Sequence, residues 1–245
     1  MQKKYLVIDI GNTFQKAAVF TAAGEMVCFE QHKLLNVAHL NDILDKHEIS
    51  YTLTSSVGAA NPEIETLLST RTQLIPFHHE TPLPIEIAYQ EPETLGHDRI
   101  AASVAAHALF PDEDVLVIQA GSCLVMDFVT HDGIYRGGSI SPGIDMRFAA
   151  LNHFTEKLPL FYKRKIDFLI GDSTQHSIES GIMNGIVHEI NGGIERYMNE
   201  FGNIKIILTG GNEKDLQDSI KNTIFAAANL VLFGLYKILK FNVVE

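Results

Sequence analysis

Apolar residues fall into short runs separated by small-residue turns, interleaved with stretches of helical period. Tyr5 to Ile10 is a β-branched run that ends in Gly11-Asn12-Thr13, followed by Gln15 to Phe20 and then by the turn Ala23-Gly24. That order predicts a β-hairpin whose first turn is a loop of small residues. A second segment has the same grammar: Val115 to Ile118, then Gln119-Ala120-Gly121-Ser122, Cys123 to Val129, the turn His131-Asp132-Gly133, and Ile134-Tyr135 before Gly137-Gly138. The copies lie 110 residues apart, counted from Asp9 to Gln119, and point to a duplicated α/β unit despite low identity between them.

Between the copies, Ile43 to His47 and Ile64 to Thr70 read as helical, Tyr51 to Val57 and Leu74 to Pro76 as extended, and Pro76 to Pro92 as a proline-punctuated loop region. His97 to Leu109, rich in alanine, reads as a buried helix. Further on, Ile178, Ile182, Ile186, Ile190, Ile194 and Met198 recur every four residues, which predicts a long helix with one apolar stripe. Gly181 and Gly185 share a face of it, permitting the close approach of another helix, either inside the chain or from another subunit. Ile204 to Leu208 reads as a strand running into Thr209-Gly210-Gly211. The apolar stretch Ile224 to Tyr236 spans 13 residues, short of the roughly 20 that cross a bilayer, and reads as a buried C-terminal helix. The run after the first two lysines is broken by Asp9 and is too short for a signal-peptide core. Strands alternating with helices predict an α/β fold.

A length of 245 residues fits one large domain or two ordinary ones, and Pro111-Asp112-Glu113-Asp114 is the candidate boundary, giving halves 1–110 and 111–245. With 46% hydrophobic and 20% charged residues and a mean hydropathy of +0.07, the composition is that of a folded globular chain. The net charge of -11 argues against nucleic acid or an anionic membrane as partner, because both select clustered basic residues. Two cysteines, Cys28 and Cys123, make no disulfide framework, and reduced thiols fit a cytoplasmic protein.

Neither GxxxxGK[ST] nor GxGxxG occurs, so a nucleotide would have to be held another way. The turns Asp9-Ile10-Gly11-Asn12-Thr13, Gly121-Ser122-Cys123 and Thr209-Gly210-Gly211 each offer backbone N–H groups and a hydroxyl, the equipment of a phosphate cradle. Each glycine, taken alone, equally serves a tight turn. Asp9 is placed to hold Mg²⁺, which favours one or two carboxylates together with substrate phosphates. Leu95-Gly96-His97-Asp98-Arg99 puts an acid and a base at the head of the alanine-rich helix. Asp98 is there either as a cap or as a base for a hydroxyl, with Arg99 as a clamp for an anion. The eleven histidines include His78-His79 but show no HxxxH or HExxH spacing, which disfavours zinc.

LVIDIGNT at residues 6–13, Tyr89 with PETLGHDR at 92–99, GGSISPG at 137–143, AL and KLP within 150–159, GDST at 171–174, LTGG at 208–211 and NLVLFGL at 229–235 occur together and in order. In this the chain resembles the type III pantothenate kinases. The resemblance implies an actin-like fold of two ribonuclease-H-like halves with an interdomain cleft, and a homodimer with its active sites at the subunit interface. It implies ATP-dependent phosphorylation of pantothenate, the first step of coenzyme A synthesis, with Mg²⁺ and a monovalent cation, potassium or ammonium. Carried over by position, Asp9, Gly11, Asn12, Thr13 and Lys16 would serve the nucleotide phosphates and metal, with Gly121, Ser122, Gly210 and Gly211 also at the nucleotide. Tyr89, Gly96, His97, Asp98 and Arg99 would contact pantothenate, Asp98 as general base, with Thr174 reaching it from the neighbouring subunit.

One stretch departs from the family pattern. Where DxGTAxT is usual, this chain reads Gln119-Ala120-Gly121-Ser122-Cys123-Leu124-Val125. Ser122 keeps a hydroxyl, but Gln119 supplies no charge to a cation and Val125 no hydroxyl. Asp127 and Asp132 are nearby carboxylates that would compensate in part, a turn role being the simpler account of Asp132. Cys123 has no placed base and reads as a small buried residue rather than a nucleophile. Gln119 leaves open a catalytically weakened or a regulatory member of the family; another small-molecule kinase is disfavoured by Tyr89 with GHDR.

Overall fold

The computed structural model describes residues 3–11, 13–56 and 61–243. They form two compact units: residues 1–111, 133–135 and 229–245 cluster as unit 1, and residues 112–132 with 136–228 as unit 2.

Unit 1 runs through β1 (Lys4–Ile10), β2 (Gln15–Thr21), β3 (Met26–His32), α1 (Val37–Lys46), β4 (Ile49–Ser56), α2 (Pro62–Arg71), β5 (Gln73–Pro76), the short β6 (Glu86–Ile87) and α3 (His97–Leu109). Its five-stranded sheet has the order β3-β2-β1-β4-β5, with β1 antiparallel to β2 and parallel to β4. Alternation along the strands fixes its faces: Leu6, Ile8, Ala17 and Val19 pack against Leu40 and Ile43 of α1 and Ile64 and Leu68 of α2. The expected strand over Tyr51 to Val57 ends at Ser56; Val57 lies outside the described residues.

Unit 2 contains β7 (Val115–Ala120), β8 (Cys123–Val129), β9 (Ile134–Pro142), α4 (Ile144–Phe154), α5 (Thr174–Phe201), β10 (Lys205–Thr209), the single turn α6 (Glu213–Leu216) and β11 (Phe225–Ala226). The first two residues of β9, Ile134 and Tyr135, pair with β6 within unit 1. The rest of the sheet has the order β9-β8-β7-β10-β11, with β7 antiparallel to β8 and parallel to β10. In each unit the spatial order is therefore third, second, first, fourth, fifth strand, so the duplication read from the two hairpins extends to the whole sheet. The four-residue stripe of α5 does what its period predicts, with Ile178, Ile182, Ile186, Ile190 and Ile194 packed over Leu116, Ile118, Leu124 and Met126.

The last helix, α7 (Leu230–Asn242), returns to unit 1, whereas the boundary expected from sequence left residues 229–245 in the second half. The reason is packing against α3. A Cβ on Gly234 would stand 1.7 Å from the Ala101 carbonyl oxygen, so the two helices touch backbone to backbone there. On its sheet side Tyr236 stacks on Phe20 at 4.7 Å and meets Tyr5 edge-on. The segment before α7 is not helical as expected but supplies β11, and Asn229 adopts the left-handed conformation at the helix start.

Candidate functional site

In unit 1 the first and second sequence clusters meet. Asp9 lies near the end of β1, with Lys16 of β2 and the buried Ser55 of β4 as its register partners. Its carboxyl is pushed up to about 6, first by burial and then by the negative charge of Asp98, against the opposing charge of Lys16. Asp98 comes from the first turn of α3, where Gly96 is the N-cap and has no capping side chain. The cap alternative is half right: Asp98 Oδ1 accepts the backbone N–H of Arg99 at 2.9 Å, and no described residue engages the second oxygen. Gly96 leaves room for the present orientation of that carboxylate, because a Cβ there would stand 2.6 Å from Asp98 Oδ1 and turn it aside. Gly11 is also tight, a Cβ lying 3.0 Å from the Phe14 carbonyl oxygen, and Thr13 is exposed next to it. Asn12 lies outside the described residues.

Arg99 is buried, 6% exposed, with its guanidinium 5.8 Å from the ring of Tyr89 and 5.9 Å from that of Tyr135. Tyr135 is fully buried and Tyr89 partly open, so Tyr89 is the face of this group that solvent reaches. Tyr135 was not among the residues singled out from sequence. The His97 ring stacks on Phe77 at 4.3 Å, and burial lowers its pKa, with Asp98 opposing.

In unit 2, two of the three glycine turns meet. Gly210, with φ of +106°, lies against the β7–β8 turn so closely that a Cβ would stand 2.4 Å from the Ala120 carbonyl oxygen. Gly143, at the start of α4, packs on the other side, its N–H donating to the Ser122 oxygen at 3.1 Å and its missing Cβ 2.4 Å from the carbonyl oxygens of both Gly121 and Ser122. Gly211 has open space where a Cβ would be. The turn at 120–122 is thus clamped between two glycines, of which Gly143 was missed as a site residue although it closes the GGSISPG stretch. Gln119 precedes the turn on β7, and its buried Nε2 finds no acceptor among the described residues.

Of the two carboxylates expected to compensate near Gln119, Asp132 is not placed for that role, whereas Asp127 lies two residues along β8 from Val125, the register partner of Gln119. Asp132 sits in the turn beyond the far end of β8, bonded to the Thr130 hydroxyl; seven residues of strand at roughly 3.3 Å each separate it from Gly121. Asp127 is fully buried, and a Cβ on Gly138 would stand 2.8 Å from its Oδ1. Cys123 is partly exposed rather than buried, its sulfur 4.0 Å from that of Met146. Among the described residues no cluster of three or more His, Cys, Asp and Glu could hold a metal, and no helix is long and apolar enough to cross a membrane.

Thr174 opens α5 behind the N-cap Ser173 and is exposed. It lines an open apolar hollow of about 860 Å³ in unit 2, formed with Leu151, Phe154, Ile178, Gly181 and Ile182. A Cβ on Gly181 or Gly185 would meet nothing within 4 Å, so these glycines make no tight contact inside the chain among the described residues.

Two α/β units of one topology, with an acidic residue at the end of the first strand and glycine turns at the strand ends, define the actin-like class that includes the sugar kinases. Solved structures agree: a Campylobacter jejuni protein described as a Baf family transcriptional activator matches 97% of this chain and 98% of its own, at a TM-score of 0.59 and 23% identity. A glucokinase from an Antarctic psychrotroph matches 97% and 98% at 0.52 and 10% identity. These two likenesses concern the fold alone. At the level of sequence, the family model for type III pantothenate kinase matches residues 5–196. The type III pantothenate kinase of Cytophaga hutchinsonii is 41% identical over 239 residues, covering 97% of this chain and 99% of that one. The chain belongs to the type III pantothenate kinase family.

Proposed function

We propose that this protein transfers the γ-phosphate of ATP to the hydroxyl of pantothenate, giving 4'-phosphopantothenate for coenzyme A synthesis. The observation that carries the reading is that the negative charge of Asp98 raises the Asp9 pKa, so the fold brings the two sequence clusters into one acidic site beside Lys16. Phosphoryl transfer through a loose transition state asks for positioning and charge stabilisation, with little basicity at the nucleophile. Asp98, with one oxygen spent on its own helix end, uses the other to accept the pantothenate hydroxyl proton and aim the oxygen. Tyr89, Gly96, His97 and Arg99 surround the vitamin, the buried guanidinium supplying the positive charge that an anionic substrate needs in an acidic chain.

Asp9 would hold Mg²⁺, with Gly11, Asn12, Thr13 and Lys16 serving the phosphates. The donors fit that ion: a half-buried carboxylate with a second carboxylate in its field gains from a divalent cation, which supplies charge neutralisation at the phosphates. In unit 2, Gly121, Ser122, Gly210 and Gly211 serve the nucleotide. A monovalent cation fits less well. Gln119 offers a neutral oxygen in place of a carboxylate, and its orphaned Nε2 is a donor that a cation repels.

The apolar hollow and the open Gly181–Gly185 face support a homodimer in which the partner subunit's Thr174 completes the pantothenate site. The ATP-dependent reaction and the two free cysteines support a cytoplasmic location. A coupled assay with ATP and Mg²⁺ tests the reading: ADP release that appears only when pantothenate is added supports it, and release indifferent to pantothenate contradicts it.

A further inference from the structure

Three chain segments far apart in sequence meet at Asn212, which is 7% exposed. Its backbone N–H donates to the Ala120 carbonyl oxygen at 2.9 Å, and its side-chain Nδ2 donates to the Gly121 carbonyl oxygen at 3.2 Å. The other amide atom, Oδ1, accepts from Lys163 Nζ at 2.5 Å, and Lys163 also pairs with Asp215 at 2.6 Å. Lys163 belongs to the irregular stretch 155–173 between α4 and α5, which is held to α5 by the two-pronged pair of Arg164 with the buried Glu179, at 2.7 and 2.6 Å.

The chemistry leaves this arrangement one orientation. An ammonium only donates, so it selects Oδ1; a carbonyl oxygen only accepts, so Gly121 selects Nδ2. Lys163 therefore sets the direction of the Asn212 amide, and the amide sets the plane of the Gly121–Ser122 peptide. In a trans peptide the carbonyl and the next N–H point in opposite directions. With the Gly121 oxygen drawn toward Asn212, the Ser122 N–H is turned to the opposite side of the turn. Gly143 crowds the same Gly121 carbonyl oxygen, a Cβ there standing 2.4 Å from it, and Asn212 supplies the side-chain hydrogen bond that oxygen accepts.

We propose that Asn212 is a positioning residue for nucleotide binding, orienting the Gly121–Ser122 peptide toward a phosphate, and that Lys163 holds Asn212 in the productive orientation. The stretch 155–173 leads directly into Thr174, so the same tie couples the nucleotide turn to the segment that carries Thr174. This inference rests on the kinase reading and on the assignment of the turn to the nucleotide.

The test is steady-state kinetics of the full chain with ATP and pantothenate varied in turn, beside thermal melting. Asn212→Ala is expected to raise KM for ATP about tenfold, the scale of one lost positioning hydrogen bond, with KM for pantothenate within about twofold. Asn212→Asp keeps the acceptor for Lys163 but loses the donor to Gly121, so it fails to rescue. Lys163→Met moves KM for ATP in the same direction, and Lys163→Arg restores it. An unchanged KM for ATP in Asn212→Ala, or wild-type behaviour in Asn212→Asp, overturns the proposal, as does a parallel change in both KM values with a lowered melting temperature. If the wild-type protein itself releases no ADP in response to pantothenate, the kinase reading has failed instead. Calorimetric titration with ADP then decides the inference separately: weaker binding to Asn212→Ala than to wild type supports it, and equal binding overturns it.

Discussion

Asp98, at the head of α3, stands close enough to Asp9, near the end of β1, for its charge to help hold the Asp9 carboxyl at a pKa of about 6. Burial is the larger cause and Lys16 works against both. The sign of the pH dependence follows. A carboxyl whose folded pKa lies above its ordinary value of 3.8 binds more protons in the folded state, so its contribution to stability is complete below about pH 4 and is lost as pH rises through about 6. Asp98→Asn removes the second cause and is expected to lower the Asp9 pKa and narrow that window. Carbon-detected NMR titration of the Asp9 carboxyl in both proteins checks this, and an unmoved pKa would separate the two residues.

Gly96 tests the geometry without touching a charge. A methyl group there would press on Asp98 Oδ1 from 2.6 Å and turn the carboxylate, while the poorer alanine cap costs the helix only about 1 kcal/mol. Gly96→Ala is expected to lower kcat by roughly tenfold or more with a melting temperature within a few degrees of wild type, the loss expected from a small misplacement of a reacting group. Full activity would show that the carboxylate does not need its present orientation.

Gln119 predicts a cation response that can be engineered. Replacing the amide with a carboxylate removes the orphaned donor and adds a charge next to the 120–122 turn. Gln119→Asp is expected to show a stimulation by potassium that the wild-type enzyme lacks or shows only weakly, read from initial rates across a potassium titration. Identical potassium curves would detach this position from any cation.

The apolar hollow on unit 2 predicts the assembly. Phe154, 81% exposed, lines it beside Gly181, and burying a side chain of that size between subunits is worth about 2–3 kcal/mol. Phe154→Glu is expected to shift the mass in sedimentation from twice 27.2 kDa to 27.2 kDa, and to raise KM for pantothenate through loss of the partner subunit's Thr174. A wild-type protein that sediments as a monomer would remove this surface from the account.

Much of this was written locally in the chain. The two hairpins and the helix at His97–Leu109 follow from strand alternation, glycine turns and an apolar run, and the duplicated order of the sheets was foreshadowed by the second hairpin. Elements with weaker local signals were missed. β3 carries partly exposed Cys28, Glu30 and His32 on alternate positions and shows no apolar alternation, while α4 buries only Ile144 and Phe148. The start of α1 is set by the capping box of Asn36 and His39 rather than by hydrophobic period, so the helix begins at Val37, ahead of the stretch expected from Ile43. Asp9 and Asp98 were recognised separately, but their coupling is a product of the fold. Asn212 gave no local signal at all, because the partners that define it lie 91 and 49 residues away in sequence.

The most direct test of the central claim is the pantothenate-dependent rate of ADP formation by Asp98→Asn, measured at saturating ATP, Mg²⁺ and pantothenate. The account predicts a fall of roughly 10²–10⁴ with the fold intact, the usual worth of a positioned base. Turnover within a few-fold of wild type would contradict it.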